Sequence, residues 1–441
     1  MNFVIEEKTN LKEQLVNTFE SFSELYGKSF PALRVQAMEE FNRIGFPSSK
    51  NEEWKYISLA SFQKNNFAVA NAATKVNLTR EDIQPYKVAG NKAAVLVFVN
   101  GLYQEKLSDL TQVSDKIKLA VIDEHSSSSY FGKQVKITNE HFNALNTAFH
   151  SGGILIHVPA NVQVENTIHL LHINDSRTEP FSSFPRNLLV VDKNAKAQVI
   201  ASYHSLNDDN ASFTNAVTEI FVGENAFVEF DVKQNETEKA VQVNHVYAKQ
   251  QRNSVFDICT VTVGGGLVRN NLDILLSEEN CTAHLYGLTI AGDNQIVDNH
   301  TVVDHAHPHC ESNQLYKNIL DGKAQGVFNG KIFVRKDAQK TNAFQSSKNV
   351  LLSNDATMSA KPQLEIFADD VKCSHGATTG QLDDDALFYF RARGIGEADA
   401  KALLNFAFAG DVIEKINNEP LKQNLLKLLA EKLNTSLVFE G

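Results

Sequence analysis

Four cysteines in 441 residues, with no Cys-x-x-Cys pair among them, are too few for a disulfide framework. Cys259, Cys281, Cys310 and Cys373 therefore read as free thiols in a reducing compartment. Long apolar runs are absent as well. The longest, about Ala93–Val99, falls far short of the roughly 20 residues that a membrane helix requires. Met1-Asn2-Phe3-Val4-Ile5-Glu6-Glu7 has no basic stretch followed by an apolar core, so no secretory signal is visible and the expected location is the cytoplasm. A basic excess is missing too. The net charge is −11, with acidic residues spread through the chain, which argues against non-specific binding to nucleic acid or anionic membrane. Nor is there a phosphate-binding loop. Gly27-Lys28-Ser29 imitates the end of one, but Phe22 stands where the first glycine belongs, and the segment joins two helical patterns instead of following a strand. The chain is not expected to hydrolyse ATP by itself. No Gly-x-Ser-x-Gly elbow supports Ser/His/Asp catalysis either.

What is present is ordinary for a globular protein: 42% hydrophobic and 22% charged residues, in a chain long enough for two or three units or one repetitive array. Residues 8–45 read as two helices, with Leu11, Leu15, Phe19 and Phe22 on one face and Val35, Met38, Phe41 and Ile44 on the next. Gly27 and Pro31 punctuate between them. The single tryptophan, in Lys50-Asn51-Glu52-Glu53-Trp54-Lys55-Tyr56, is expected to staple these helices onto the body.

From about Ala93 the pattern turns to short β-branched strands, with no helix-length segment between about 150 and 370. That suggests a sandwich, a barrel or a β-solenoid. The solenoid is preferred because a turn residue followed by a small one recurs at Asn194-Ala195, Asn225-Ala226, Asn280-Cys281, Lys323-Ala324, Asp337-Ala338 and Asp355-Ala356. Small residues suit tight inward corners, and helical segments at the two ends would cover the open array. The tail reads as three helices. Asp383–Asp385 and Gly394 bound the first, Glu397 to about Ile416 forms the second, and Pro420 opens a third with a Leu421, Leu425, Leu428, Leu429 stripe.

Chemistry concentrates where strand periodicity gives way to helix, at Asp369–Gly394. If Cys373-Ser374-His375 is extended, thiol and imidazole share a face and Ser374 points away. Sulfur beside imidazole suits iron or zinc, and a nearby imidazolium would favour the thiolate. One Cys-x-His pair is nonetheless half a site, and a buried thiol with a hydrogen-bonded histidine is the plainer alternative. His305, His307 and His309 would share a face on a regular strand with Cys310 opposite, a candidate zinc or iron site. Pro308 argues against such a strand, which leaves a structural histidine ladder as the favoured reading. Cys259 and Cys281, 22 apart, are expected to stack in the core about one turn from each other.

The run Lys-Cys-Ser-His-Gly-Ala-Thr-Thr-Gly-Gln-Leu-Asp at 372–383, continuing into Leu387-Phe388-Tyr389 and Arg391-Ala392-Arg393-Gly394-Ile395, closely resembles the SufD branch of the SufB/SufD family of the SUF iron–sulfur cluster assembly machinery. The Trp-Lys-Tyr segment, Phe142–Phe149 and most of Asp304–Phe408 carry the same resemblance, including Pro308-His309-Cys310. Cys-Ser-His-Gly-Ala-Thr at 373–378 and the lack of an N-terminal cysteine cluster point to SufD over SufB.

The resemblance implies a mainly β fold: a right-handed parallel β-helix over 93–380, with an N-terminal helical region at 1–92 and a C-terminal helical domain at 381–441. It implies a non-enzymatic scaffold that pairs with a SufB-like β-helix subunit and holds a SufC-like ABC-type ATPase on its C-terminal helices. A homodimer when alone is also open. Cys373 and His375 would lie at the cluster-assembly interface and hold transient iron or an Fe–S cluster completed by the partner, with no cofactor stably bound to the chain alone. His309 and Cys310 stand as a secondary metal candidate. The rival class is a β-helix carbohydrate-active enzyme using paired carboxylates such as Asp208-Asp209. A third reading is a self-associating scaffold without metal.

Overall fold

The protein is described here from a computed structural model covering residues 10–26, 28–70, 76–151, 153–207 and 209–433. Its body is built from strands about ten residues long whose inward positions are β-branched or small. Successive strands go to opposite sheets. Thr282–Ala291 pairs in parallel with Glu311–Leu320, while Ile296–His305, which lies between them in the chain, pairs in parallel with Gln325–Val334. Repeated along the chain, this winds a β-solenoid of about 8 turns flanked by helices, with 40% strand and 23% helix. Among the described residues no α-helix falls between Phe149 and Asp384, as the sequence predicts.

The corners explain the spacing. Asn161, Asn194, Asn225, Asn253 and Asn280 all take left-handed backbone angles, φ between 55 and 64°. Asparagine tolerates that region better than most residues. Their side chains form a ladder, each Nδ2 donating to the Oδ1 of the asparagine one coil earlier at 3.0–3.1 Å. The next two coils place His309 (φ 60°) and Lys340 (φ 61°) at this corner. Every corner from Asn194 on is followed by a small inward residue: Ala195, Ala226, Ser254, Cys281, Cys310 and Thr341, all at most 2% exposed.

Ladder partners are 27 to 33 residues apart, so a 22-residue interval is not one turn. The expected Cys259–Cys281 stack is therefore absent. Cys259 registers with Tyr286 on the outer face, under the C-terminal helices, whereas Cys281 lies inside the coil beside Cys310.

Helices line the flanks of the solenoid. The helices Leu11–Tyr26 and Pro31–Ile44 bury Leu11, Leu15, Phe22, Met38 and Phe41 with Phe213, Val243 and Leu267 of one sheet. Trp54 works as the expected staple: its ring packs 5.1 Å from Phe142 and lies under the Arg269 guanidinium at 4.4 Å. Neighbouring residues extend the strap across further strands, through Glu53 to His300 and Asn329 and Glu52 to Lys361.

The helices Glu397–Ile413 and Glu419–Lys432 bury Phe406, Val412, Leu421, Leu425 and Leu429 against the outer face of the other sheet. Neither helical segment covers an end, contrary to expectation, because their apolar stripes match the flat sheet faces. The N-terminal end is closed instead by residues 102–121, where Leu102–Tyr103 and Lys118–Val121 add antiparallel edge strands and Ile117 and Leu119 pack on the core. Among the described residues no helix is long and apolar enough to cross a membrane.

Candidate functional site at the open end

The two sheets end in Thr357–Ile366 and Lys372–Gly380, each paired on one side only. In the second strand Cys373 registers with Ala343 and His375 with Gln345. Ala343 is fully buried, and Gln345 donates to Gln314 at 2.9 Å within the coil. Strand alternation therefore turns Cys373 and His375 toward the lumen side, and Ser374 toward the outer face beside Phe344. Among the described residues no further coil follows. Cys373 is partly buried against the cluster of Ile332, Val334, Ala338, Ala343 and Ala368, and His375 is exposed.

Burial raises the Cys373 thiol, with the backbone hydrogen bond to Ala343 pulling the other way. The group therefore rests as a thiol at neutral pH. The shift is upward, so the thiolate is not favoured in the chain alone.

The surroundings are those of an unfinished face. Among the described residues, five of the ten exposed large apolar side chains, Phe344 (44%), Ile366 (38%), Phe367 (59%), Phe388 (74%) and Tyr389 (54%), come from this end of the chain. The helix Asp384–Ala392 buries no residue. It starts from Asp383, whose carboxylate accepts from the Asp385 and Ala386 backbone N–H groups at 2.9 and 3.2 Å. Gly394 ends it at φ 84°. The Leu421, Leu425, Leu429 stripe, in contrast, is consumed in the chain's own packing.

The histidine-rich segment is not gathered into one site. The strand ends at His305, whose ring is buried, with Nε2 2.9 Å from Ser312 Oγ, and burial lowers its pKa to about 4. His309 is the left-handed corner residue facing out, and Cys310 points into the core. His305, His307 and His309 thus do not share a face, and they do not form the structural ladder either, because the strand breaks before Pro308. Among the described residues no group of three or more His, Cys, Asp or Glu side chains is placed to hold a metal ion. Cys373 and His375 accordingly have no third ligand within the described chain. Of the other sequence candidates, Gly27 and Asp208 lie outside the described residues, and Asp209 is an exposed loop residue.

Sequence reasoning missed that the edge strand Thr357–Ile366 is paired on one side only, and missed the exposed phenylalanines beside it. Their alternation resembles that of any buried coil, so no local signal sets them apart.

Comparison with known proteins accounts for nearly the whole chain. Residues 172–408 match the family model "SUF system FeS cluster assembly, SufBD core domain", and residues 9–170 match "SufBD protein N-terminal region". An iron–sulfur cluster assembly SufBD family protein of Synechocystis is 33% identical over 92% of this chain and 90% of its own length. The iron–sulfur cluster assembly protein SufD of Escherichia coli is 31% identical over 90% of this chain and 92% of its own. SufD of Bacillus subtilis is 27% identical over 91% and 93%. With the solenoid, its flanking helices and both halves of the chain matched, the protein belongs to the SufB/SufD family of the SUF iron–sulfur cluster assembly system.

Proposed function

We propose that this chain is a non-enzymatic scaffold subunit that contributes Cys373 and His375 as half of a cluster-building site, completed by a SufB-like β-helix subunit docked on its open end. One observation carries the reading. Thiol and imidazole sit on one face of the final strand, on the lumen side of a coil on which no described strand is stacked. Iron–sulfur clusters are usually held by four protein ligands, mostly cysteine thiolates, so two ligands here leave the remainder to another chain.

The unpaired backbone groups of Thr357–Ile366 and Lys372–Gly380 are templates for strand addition. The exposed Phe344 and Phe367 beside them supply apolar area for a docked partner. Iron and sulfide are then cargo assembled between subunits. The chain's own part is to present Sγ and the imidazole nitrogen in fixed register. Cys373 must lose its proton as iron arrives, because a thiolate is the ligand form and burial favours the thiol.

The SufC-like ABC-type ATPase is assigned to the C-terminal helices. Asp384–Ala392 supports this, as a helix without buried residues that exposes Phe388 and Tyr389, with Arg393 stacked over Tyr389 at 4.6 Å. The test is His375→Ala expressed with its partners. The complex should purify at normal stoichiometry while client proteins receive no cluster. Normal cluster maturation by that variant would remove the role assigned to His375.

A further inference from the structure

Cys281 and Cys310 follow the corner residues Asn280 and His309 of successive coils. Thr282 and Glu311, which follow them, are register partners, and the Glu311 N–H donates to the Cys281 carbonyl at 2.9 Å. Neighbouring strands lie about 4.8 Å apart, within the roughly 4.4–6.8 Å Cα separation that a disulfide spans. Both side chains point into the coil and are 0% exposed. Both Sγ atoms lie 3.2 Å from the same acceptor, the Glu278 carbonyl oxygen. A hydrogen bond between the thiols raises the Cys281 pKa and lowers that of Cys310, while burial opposes ionisation of both. At this position four other coils use alanine, serine or threonine, Ala195, Ala226, Ser254 and Thr341, and the first carries Val162. Packing alone calls only for a small side chain, so two adjacent sulfurs add a chemistry that the corner does not require.

We propose that Cys281 and Cys310 form an oxidisable dithiol that closes to a disulfide between successive coils in the presence of hydrogen peroxide. The Cys310 sulfur attacks one peroxide oxygen. An S–O bond forms, the O–O bond breaks, and the departing hydroxide takes the thiol proton as water. The Cys281 sulfur then attacks the Cys310 sulfur. The S–S bond forms, the S–O bond breaks, and the hydroxyl leaves as a second water with the Cys281 proton. Two thiols and one peroxide yield one disulfide and two waters, and a dithiol reductant reverses the change. The bridge staples the segment 281–310 and constrains its unfolded state. Because both sulfurs are sealed from solvent, closure follows local opening of the corner and is slower than oxidation of the partly exposed Cys373.

The experiment treats the folded full chain with hydrogen peroxide, denatures and alkylates it, and maps thiols by mass spectrometry, with Cys281→Ser alongside. In the wild type the Cys281 and Cys310 peptides should be recovered joined and two hydrogens lighter, separating again with dithiothreitol. In Cys281→Ser the joined species should vanish and Cys310 should carry added oxygen. Full alkylation of both thiols after treatment that oxidises Cys373 would overturn the proposal. So would oxygen on each without a link, or a bridge to Cys259 or Cys373. If the variant fails to fold, the wild-type map decides alone.

Discussion

The solenoid's N-terminal and C-terminal ends start from the same coil and finish it differently. One inward position can be followed through nearly every turn by strand register: Phe98, His172, Tyr203, Gln234, Thr262, Thr289, Asn318, Asn349 and Thr379. At the N-terminal end the column is aromatic, with His172 sandwiched between Phe98 and Tyr203 at ring separations of 4.7 and 4.6 Å. Toward the C-terminal end it becomes a polar ladder, in which Asn318 donates to Asn349 at 2.7 Å and Asn349 to Thr379 at 3.2 Å. The first end also uses antiparallel strands to occupy its edges, while the last leaves two edges unpaired. A terminus that only has to be stable is packed with rings and closed. The end proposed to meet another chain keeps unpaired hydrogen-bonding groups, which are templates for pairing.

The comparison can be strained first at the closed half. Arg186 and Glu219, both fully buried, pair at 2.6 Å, and the Arg186 guanidinium also lies 4.6 Å from the Phe131 ring centre. Removing one member of a buried pair leaves an uncompensated charge, at a cost of about 3–5 kcal/mol. Glu219 also accepts from the Gly132 and Gln134 N–H groups, which softens the loss. Arg186→Ala should therefore lower the denaturant midpoint strongly, toward the lower part of that range.

A smaller effect, of opposite sign, is expected at His172. Burial lowers its pKa from 6.5 to about 3, and neither ring nitrogen has a partner. Because the folded pKa lies below the unfolded one, the unfolded chain binds the proton first. Stability is then full above about pH 6.5 and falls as pH drops toward 3. His172→Phe keeps the ring stack and removes both orphaned nitrogens. It should stabilise the protein by about 1–3 kcal/mol and shallow the acid-side decline, measured by unfolding between pH 4 and 7. Unchanged acid sensitivity in that variant would place the responsible proton elsewhere, with His169, also at about 3, the next candidate.

The smallest change is expected at the open end. His375 is exposed, so His375→Ala should shift stability by no more than about 0.5 kcal/mol while abolishing cluster delivery. A large loss of stability would mean that the residue serves the fold.

Much of this architecture is legible in the sequence because it is local. The helices announce themselves by periodicity, and Asp383, Gly394 and Pro420 mark their limits. The turn-then-small pattern at Asn194-Ala195 and Asn225-Ala226 is the corner itself. Cys373 and His375 could be assigned to one face from strand alternation alone. What escaped depends on pairing between distant residues. Coil length emerges only from register, which is why Cys259 was matched with Cys281 in place of Cys310. The antiparallel closure by Leu102–Tyr103 and Lys118–Val121 rests on very short strands with no distinctive pattern. His309 resembled a ligand because a left-handed corner leaves no trace in an isolated histidine. The exposure of the last coil is a property of what does not follow it.

The most direct measurement of the central claim is amide hydrogen exchange of this chain with and without a SufB-like subunit. The account predicts strong added protection at 357–366 and 372–380, spanning Cys373 and His375, with the asparagine corners unchanged. Protection confined to the flanking helices or the closed end, with both edge strands exchanging as in the free chain, would contradict it.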